Sequence, residues 1–164
     1  MKQAPISNRL YALIDLFDLH TTYFNNALEG ISDENSLNRL GTKANHIAWL
    51  AGSLVQERYE LANLFGSSLK SSANELFKDH KGIQEGAVYP SLDSYKNDWK
   101  QISPDLKEHL LKATEEELDR ILEFPEMSFP MYEMISFQMY REANCIGQIA
   151  LWRRLLNYEA MKYM

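Results

Sequence analysis

The chain has 164 residues, 45% of them hydrophobic and 24% charged, with a net charge of −6 and a single cysteine. That length suits one domain with a core of its own, residues 1–164, and no apolar run reaches the ~20 residues that a membrane-spanning helix needs. The acidic balance and the absence of a Lys/Arg stripe argue against nucleic acid as a partner, and the lone Cys145 rules out an internal disulfide and a thiolate-rich zinc site.

Met1-Lys-Gln-Ala-Pro5 lacks the apolar core of a signal peptide, so a cytoplasmic location is expected. Ser7 reads as a helix N-cap; Leu10, Leu13, Ile14, Phe17, Phe24 and Leu28 follow at helical spacing, and Gly30 ends the run. A second helix is predicted from about Lys43 to Phe65, started by Gly41-Thr42 and closed by Gly66. Between Gly66 and Pro90 lies a Ser-rich connection with room for a turn or two of helix at Asn74–Lys78. So long a linker inside one domain fits a chain that crosses the fold, returning about 30 Å between two parallel helices.

The third helix begins after Pro90-Ser91, using Leu92, Tyr95, Trp99, Ile102, Leu106 and Leu110, and Pro104 is expected to kink or break it. Thr114 caps a short turn through Leu122, with Glu117 completing a capping box. The fourth helix is predicted from Pro130 in its first turn to about Tyr158. These elements describe an all-α four-helix bundle with one long crossover between helices two and three.

Two helical stripes are more polar than packing requires. Met134, Gln138, Arg141, Cys145, Gln148 and Trp152 recur every three or four residues on the fourth helix, and His46, Trp49, Ser53 and Glu57 do so on the second. Unpaired polar burial is costly, so these groups need partners. For Arg141 the partner is a protein carboxylate, Glu57 or, with the face rotated, Glu142; otherwise Arg141 receives an anionic ligand together with Gln138 and Ser53. His20 reads as a core histidine or a pocket residue, His46 as an exposed or capping residue or a donor, and His80 and His109 as surface. Cys145 reads as a small apolar filler, since no base adjacent in sequence would lower its pKa. Gly147 would let another helix approach closely.

The segment Arg141-Glu-Ala-Asn-Cys-Ile-Gly-Gln-Ile-Ala-Leu-Trp-Arg-Arg154 resembles the helical metal signature of the DinB-like (YfiT-like) family, His-x-x-x-His-x-Gly-Gln-Ile followed by a basic pair. Trp49-Leu-Ala-Gly-Ser53 is similar to the family's Trp-x-x-Gly-His motif. Ile31-Ser-Asp-Glu-Asn, Tyr89-Pro-Ser-Leu-Asp93 and Thr114-Glu-Glu-Glu-Leu-Asp119 extend the likeness from about Ser7 to Asn157. The resemblance implies an up-down-down-up bundle, a site between helices two and four, and a homodimer. It also implies three metal-binding histidines, whose positions here hold Ser53, Arg141 and Cys145.

Zinc or nickel needs about three or four imidazole, thiolate or carboxylate donors, and Arg141 brings a permanent cation to one ligand position. No metal or other cofactor is therefore expected. The function expected is a non-catalytic protein with a residual polar pocket for a small anionic molecule, lined from among His20, His46, Trp49, Glu57, Gln138 and Gln148. The alternative is a thiol-dependent transferase or isomerase that uses Cys145 and Arg141 or a rearranged metal site.

Overall fold

Ser7 sets the first helical segment in motion. Its Oγ accepts the Arg9 N–H at 3.2 Å, a single 3-10 turn covers Asn8–Leu10, and α1 runs Tyr11–Leu28. A computed structural model describes residues 3–163. After α1 come α2 (Asp33–Ser36), α3 (Ile47–Leu64), α4 (Asn74–Phe77), α5 (Leu92–Lys112), α6 (Glu115–Asp119), the strands β1 (Ile121–Phe124) and β2 (Met127–Pro130), and α7 (Met131–Leu155). The chain is mostly helical with a small two-stranded sheet.

The second long helix starts four residues later than Lys43, because its cap is the His46 imidazole and not Gly41-Thr42: Nδ1 accepts the Trp49 N–H at 3.0 Å. A buried ring with an acceptor nitrogen satisfies one of the orphan donors of the first turn, as a Ser or Asp would. Ser91 caps α5 through the Ser94 N–H, and Thr114 with Glu117 forms the capping box of α6.

Pro104 does not break α5, which is helical from Leu92 through Lys112. Pro104 and Lys100, whose carbonyl loses its helical donor to the proline, both lie on the exposed side. Water can bond the freed carbonyl there.

The expectation of an all-helical chain is also corrected. Residues 121–130 form an antiparallel hairpin in which Ile121 pairs with Pro130 and Phe124 with Met127. Only Leu122 in this segment is buried, and Phe124 stacks on Phe129 at 5.2 Å between ring centres. Pro130 is thus the last residue of a strand and the N-cap of α7, not a residue of its first turn.

The long helices bury their apolar stripes against one another: α3 against α5 and α7, and α1 against α7 and α5. Phe17, Phe24, Leu50, Leu54, Leu61, Trp99, Ile135 and Ile149 are each at most 2% exposed, and full burial of such a side chain is worth about 1.5–3 kcal/mol. Trp99 stacks on Phe24 at 4.1 Å.

The connection after α3 is pinned to that helix. Gln56 accepts from the Ser71 hydroxyl at 2.6 Å and donates to Asn74 Oδ1 at 3.0 Å, while Phe77 of α4 lies in the core. Gly52 makes that docking possible, since a Cβ there would come within 2.3 Å of the Phe77 ring and 2.8 Å of the Tyr95 ring. Gly147, where a close helix approach was expected, has nothing within 4 Å of a built Cβ. The close contact is at Gly52 instead.

Candidate functional site

Two adjacent residues of opposite charge stand on each of two facing helices, Glu57-Arg58 on α3 and Arg141-Glu142 on α7. Neighbouring helical residues point about 100° apart, so each couple divides between two faces. The pairing that results is crossed.

Arg58 and Glu142 meet in the interior. Arg58 Nε donates to Oε1 at 2.6 Å and Nη2 to Oε2 at 2.8 Å, with both side chains fully buried. The His20 ring lies 3.1 Å from Oε2 through Nδ1, and Arg58 Nη1 donates to the hydroxyls of Thr21 and Ser103 at 2.9 and 2.7 Å. The guanidinium is sandwiched between the Phe17 and Trp99 rings, its carbon 3.9 and 3.5 Å from their centres. Burial pushes the Glu142 carboxyl upward, but the Arg58 guanidinium outweighs it and, with His20, holds the group below the usual carboxylate range.

Arg141 and Glu57 pair on the other face. Arg141 Nη2 donates to Glu57 Oε1 and, at 3.1 Å, to Ser53 Oγ; Ser53 in turn donates to Glu57 Oε1 at 3.3 Å. Nη1 of Arg141 makes no hydrogen bond among the described residues. The pair is 30% and 21% exposed, because it borders a cavity of about 400 Å³. Burial raises the Glu57 carboxyl above its ordinary value, opposed by Arg141.

Trp49, Ser53, Glu57, Gln138 and Arg141 form one end of this cavity. Gln56, Glu60, Leu61, Leu64, Phe124, Met134 and Phe137 also line it, with Phe77, His80 and Lys81 of the long connection. The indole Nε1 of Trp49 is buried without a hydrogen-bond partner among the described residues.

Five of the residues singled out in the sequence therefore share the cavity: Trp49, Ser53, Glu57, Gln138 and Arg141. Four do not line it. His20 belongs to the interior pair through Glu142, and His46 is occupied as the cap of α3. Gln148 is exposed and donates to Asn144 at 2.6 Å, because the outward drift of a straight helix carries it off the stripe by this point. Cys145 is buried, and burial pushes its thiol up to about 11.

His80 is exposed, as a surface residue should be, yet it stands at the cavity's edge; His109 stacks on Phe65 at 5.8 Å. The residue missed altogether is Arg58. Its signal was the acid-base couple Glu57-Arg58 facing a second couple, Arg141-Glu142.

Ser53, Arg141 and Cys145, the positions that the resemblance gives to metal ligands, are a poor donor set for a divalent metal. Arg141 occupies one with its own counter-ion beside it, and Ser53 is spent on that pair. Among the described residues no three of His, Cys, Asp or Glu come together in a way that could hold a metal ion. No family model matches the chain, and a search of curated proteins found no match.

Proposed function

We propose that this chain is a DinB-like bundle without the family's metal, a non-catalytic protein whose cavity between α3 and α7 receives a small molecule through an anionic group. The observation that carries this reading is Arg141: Glu57 and Ser53 fix its guanidinium while Nη1 stays unengaged beside the cavity. A guanidinium held by one side of its fork offers the other to a carboxylate or phosphate oxygen without losing side-chain freedom on binding.

The helix directions support the family part of the reading. His20 meets Glu142 and Ala27 meets Arg153, so α1 and α7 run the same way. Asn45, just before α3, meets Trp152 and Glu57 meets Arg141, so α3 opposes α7. Gly52 lies beside Tyr95 and Arg58 beside Ser103, so α3 and α5 are parallel across the long connection. Up-down-down-up is the order that the resemblance implies. Among the described residues no helix is long and apolar enough to cross a membrane.

The enzymatic alternative gains little from the geometry. A nucleophilic thiol needs a lowered pKa and access, and Cys145 has neither. The homodimer that belongs to this reading is supported by one outward stripe of α7, where Tyr140, Leu151 and Leu155 are all more than half exposed. Sedimentation of the wild type against Leu151→Glu should show the dimer weakened.

A thermal-shift screen of small carboxylates, phosphates and thiols, run on wild type and Arg141→Met, tests the main reading. A ligand at 100 times its Kd should stabilise the wild type by about 2.7 kcal/mol. Hits that stabilise Arg141→Met equally, or no hits at all, would show that Arg141 receives no anion.

A further inference from the structure

The cavity's two ends differ in chemistry, and together they narrow the ligand. At the polar end Arg141, which lines the cavity, keeps one donor, Nη1, without a protein acceptor among the described residues. An acceptor group beside Ser53 could take its hydrogen bond.

The charge at this end limits the acceptor. Glu57 offsets Arg141, and Glu60, held by Gln56 Nε2 at 2.9 Å, lines the same wall. Lys81, at the side, donates to the Glu75 carbonyl at 3.0 Å. Two carboxylates against two cations leave no surplus positive charge for a dianion. A monoanion that shares Arg141 with Glu57 is the most charge that the site accommodates at modest cost.

Apart from Gln56 and Glu60, the walls beyond the polar end are aliphatic and aromatic. Phe124 and Phe137, 36% and 56% exposed, are both among them. The volume, about 400 Å³, falls within the span of ordinary small-molecule pockets and far exceeds what acetate or inorganic phosphate would fill.

We infer that the cavity takes a monocarboxylate with an apolar body, medium-chain or phenylalkyl, its carboxylate on Arg141 Nη1 and its body against Leu61, Leu64, Phe124 and Phe137. This assignment rests on the reading that the cavity binds an acceptor-bearing small molecule, and it excludes phosphate esters and short polar anions as the preferred class.

Isothermal titration of the full chain with four probes tests it: 4-phenylbutyrate, 4-phenylbutanol, acetate and inorganic phosphate. The carboxylate with the phenyl body should bind at least about tenfold more tightly than each of the other three, since a lost charge-assisted hydrogen bond or a lost ring contact each amounts to a factor of that order. Arg141→Met keeps the apolar stem and removes the donor, and should weaken 4-phenylbutyrate by about tenfold while leaving 4-phenylbutanol much less affected. Phe137→Ser, at a position already half exposed, should weaken both phenyl probes and leave the circular dichroism spectrum unchanged.

Equal binding of 4-phenylbutyrate and 4-phenylbutanol, unaltered in Arg141→Met, would overturn the inference by making the cavity a purely apolar one. Binding of phosphate or acetate as tight as that of 4-phenylbutyrate and lost in Arg141→Met would overturn the ligand class and leave the anion-binding reading standing. If none of the four probes binds the wild type, that reading fails and this inference with it.

Discussion

Arg58 reaches from α3 to Glu142 of α7 through two hydrogen bonds of 2.6 and 2.8 Å, and neither side chain meets solvent. A buried pair of this kind adds little net stability relative to well-packed apolar residues, because desolvation offsets its attraction. Breaking it from one side is another matter. Arg58→Met leaves Glu142 buried with only His20 and Gln138 beside it and no full counter-ion, and should destabilise the fold by about 3–5 kcal/mol in urea titrations. The double variant Arg58→Met, Glu142→Leu should cost clearly less than the two single changes together. Additive single and double effects would mean that the two groups are not coupled.

The pair at the cavity should behave more mildly. Arg141 and Glu57 retain 30% and 21% exposure, so water screens both partners and relaxes around whichever is left. Arg141→Ala should cost about 1–2 kcal/mol, well below the cost at Arg58, and the loss should shrink as salt is raised. A cost equal to that of Arg58→Met would show that this pair is as dry as the interior one.

The two carboxyls respond to pH in opposite directions. Glu142 lies below its unfolded value, so its contribution is present above about pH 4.3 and is lost as the pH falls through the lower folded value. Glu57 lies above its unfolded value, so its effect on stability declines as the pH rises from about 4.3 through the raised folded value. Chemical denaturation between pH 3 and 7 should show Glu142→Gln flattening the acid limb and Glu57→Gln steepening the net rise toward neutrality. Identical profiles for the two variants would contradict the assigned directions.

Gly52 should tolerate no side chain without a local change. A Cβ at 2.3 Å from the Phe77 ring and 2.8 Å from the Tyr95 ring forces one of them to move, and Phe77, on the shorter and less anchored α4, is the one expected to yield. Gly52→Ala should cost about 1–3 kcal/mol, the usual range for overpacking. Hydrogen exchange should show the loss concentrated in residues 67–91. In a Phe77→Ala background the same substitution should cost much less, and an undiminished cost there would place the clash elsewhere.

Most of the long helices were legible in the sequence because their apolar spacing and caps are strong: Ser7, Ser91 and the Thr114 capping box all act as their residue types predict. The misreadings have local causes. His46 caps with a ring nitrogen, a role that its residue type signals weakly, and so shifts the start of α3. The strands of the hairpin are only four residues long and bury a single leucine, too little alternation to separate from the end of a helical turn. Of the site, the Arg141, Glu57 and Ser53 cluster could be read from helical spacing across two helices. His20 is the core histidine that its place on the inner stripe of α1 suggested; Arg58 could not be read, because its role depends on which face of α3 turns toward Glu142, and spacing alone leaves that rotation open.

The crossed arrangement of charges also acts as an alignment key. α7 buries residues on several sides, from Met131 and Ile135 to Cys145, Glu142 and Arg153, so apolar contact alone distinguishes poorly between neighbouring rotational settings of that helix. Turn α7 by one residue, about 100°, in one sense and Arg141 swings toward Arg58; turn it in the other and Glu142 swings toward Glu57. Either mispairing would bring like charges together. The couples Glu57-Arg58 and Arg141-Glu142 therefore reject the near-miss assemblies that the hydrophobic faces would tolerate, and they do so most forcefully while the helices are still choosing how to dock.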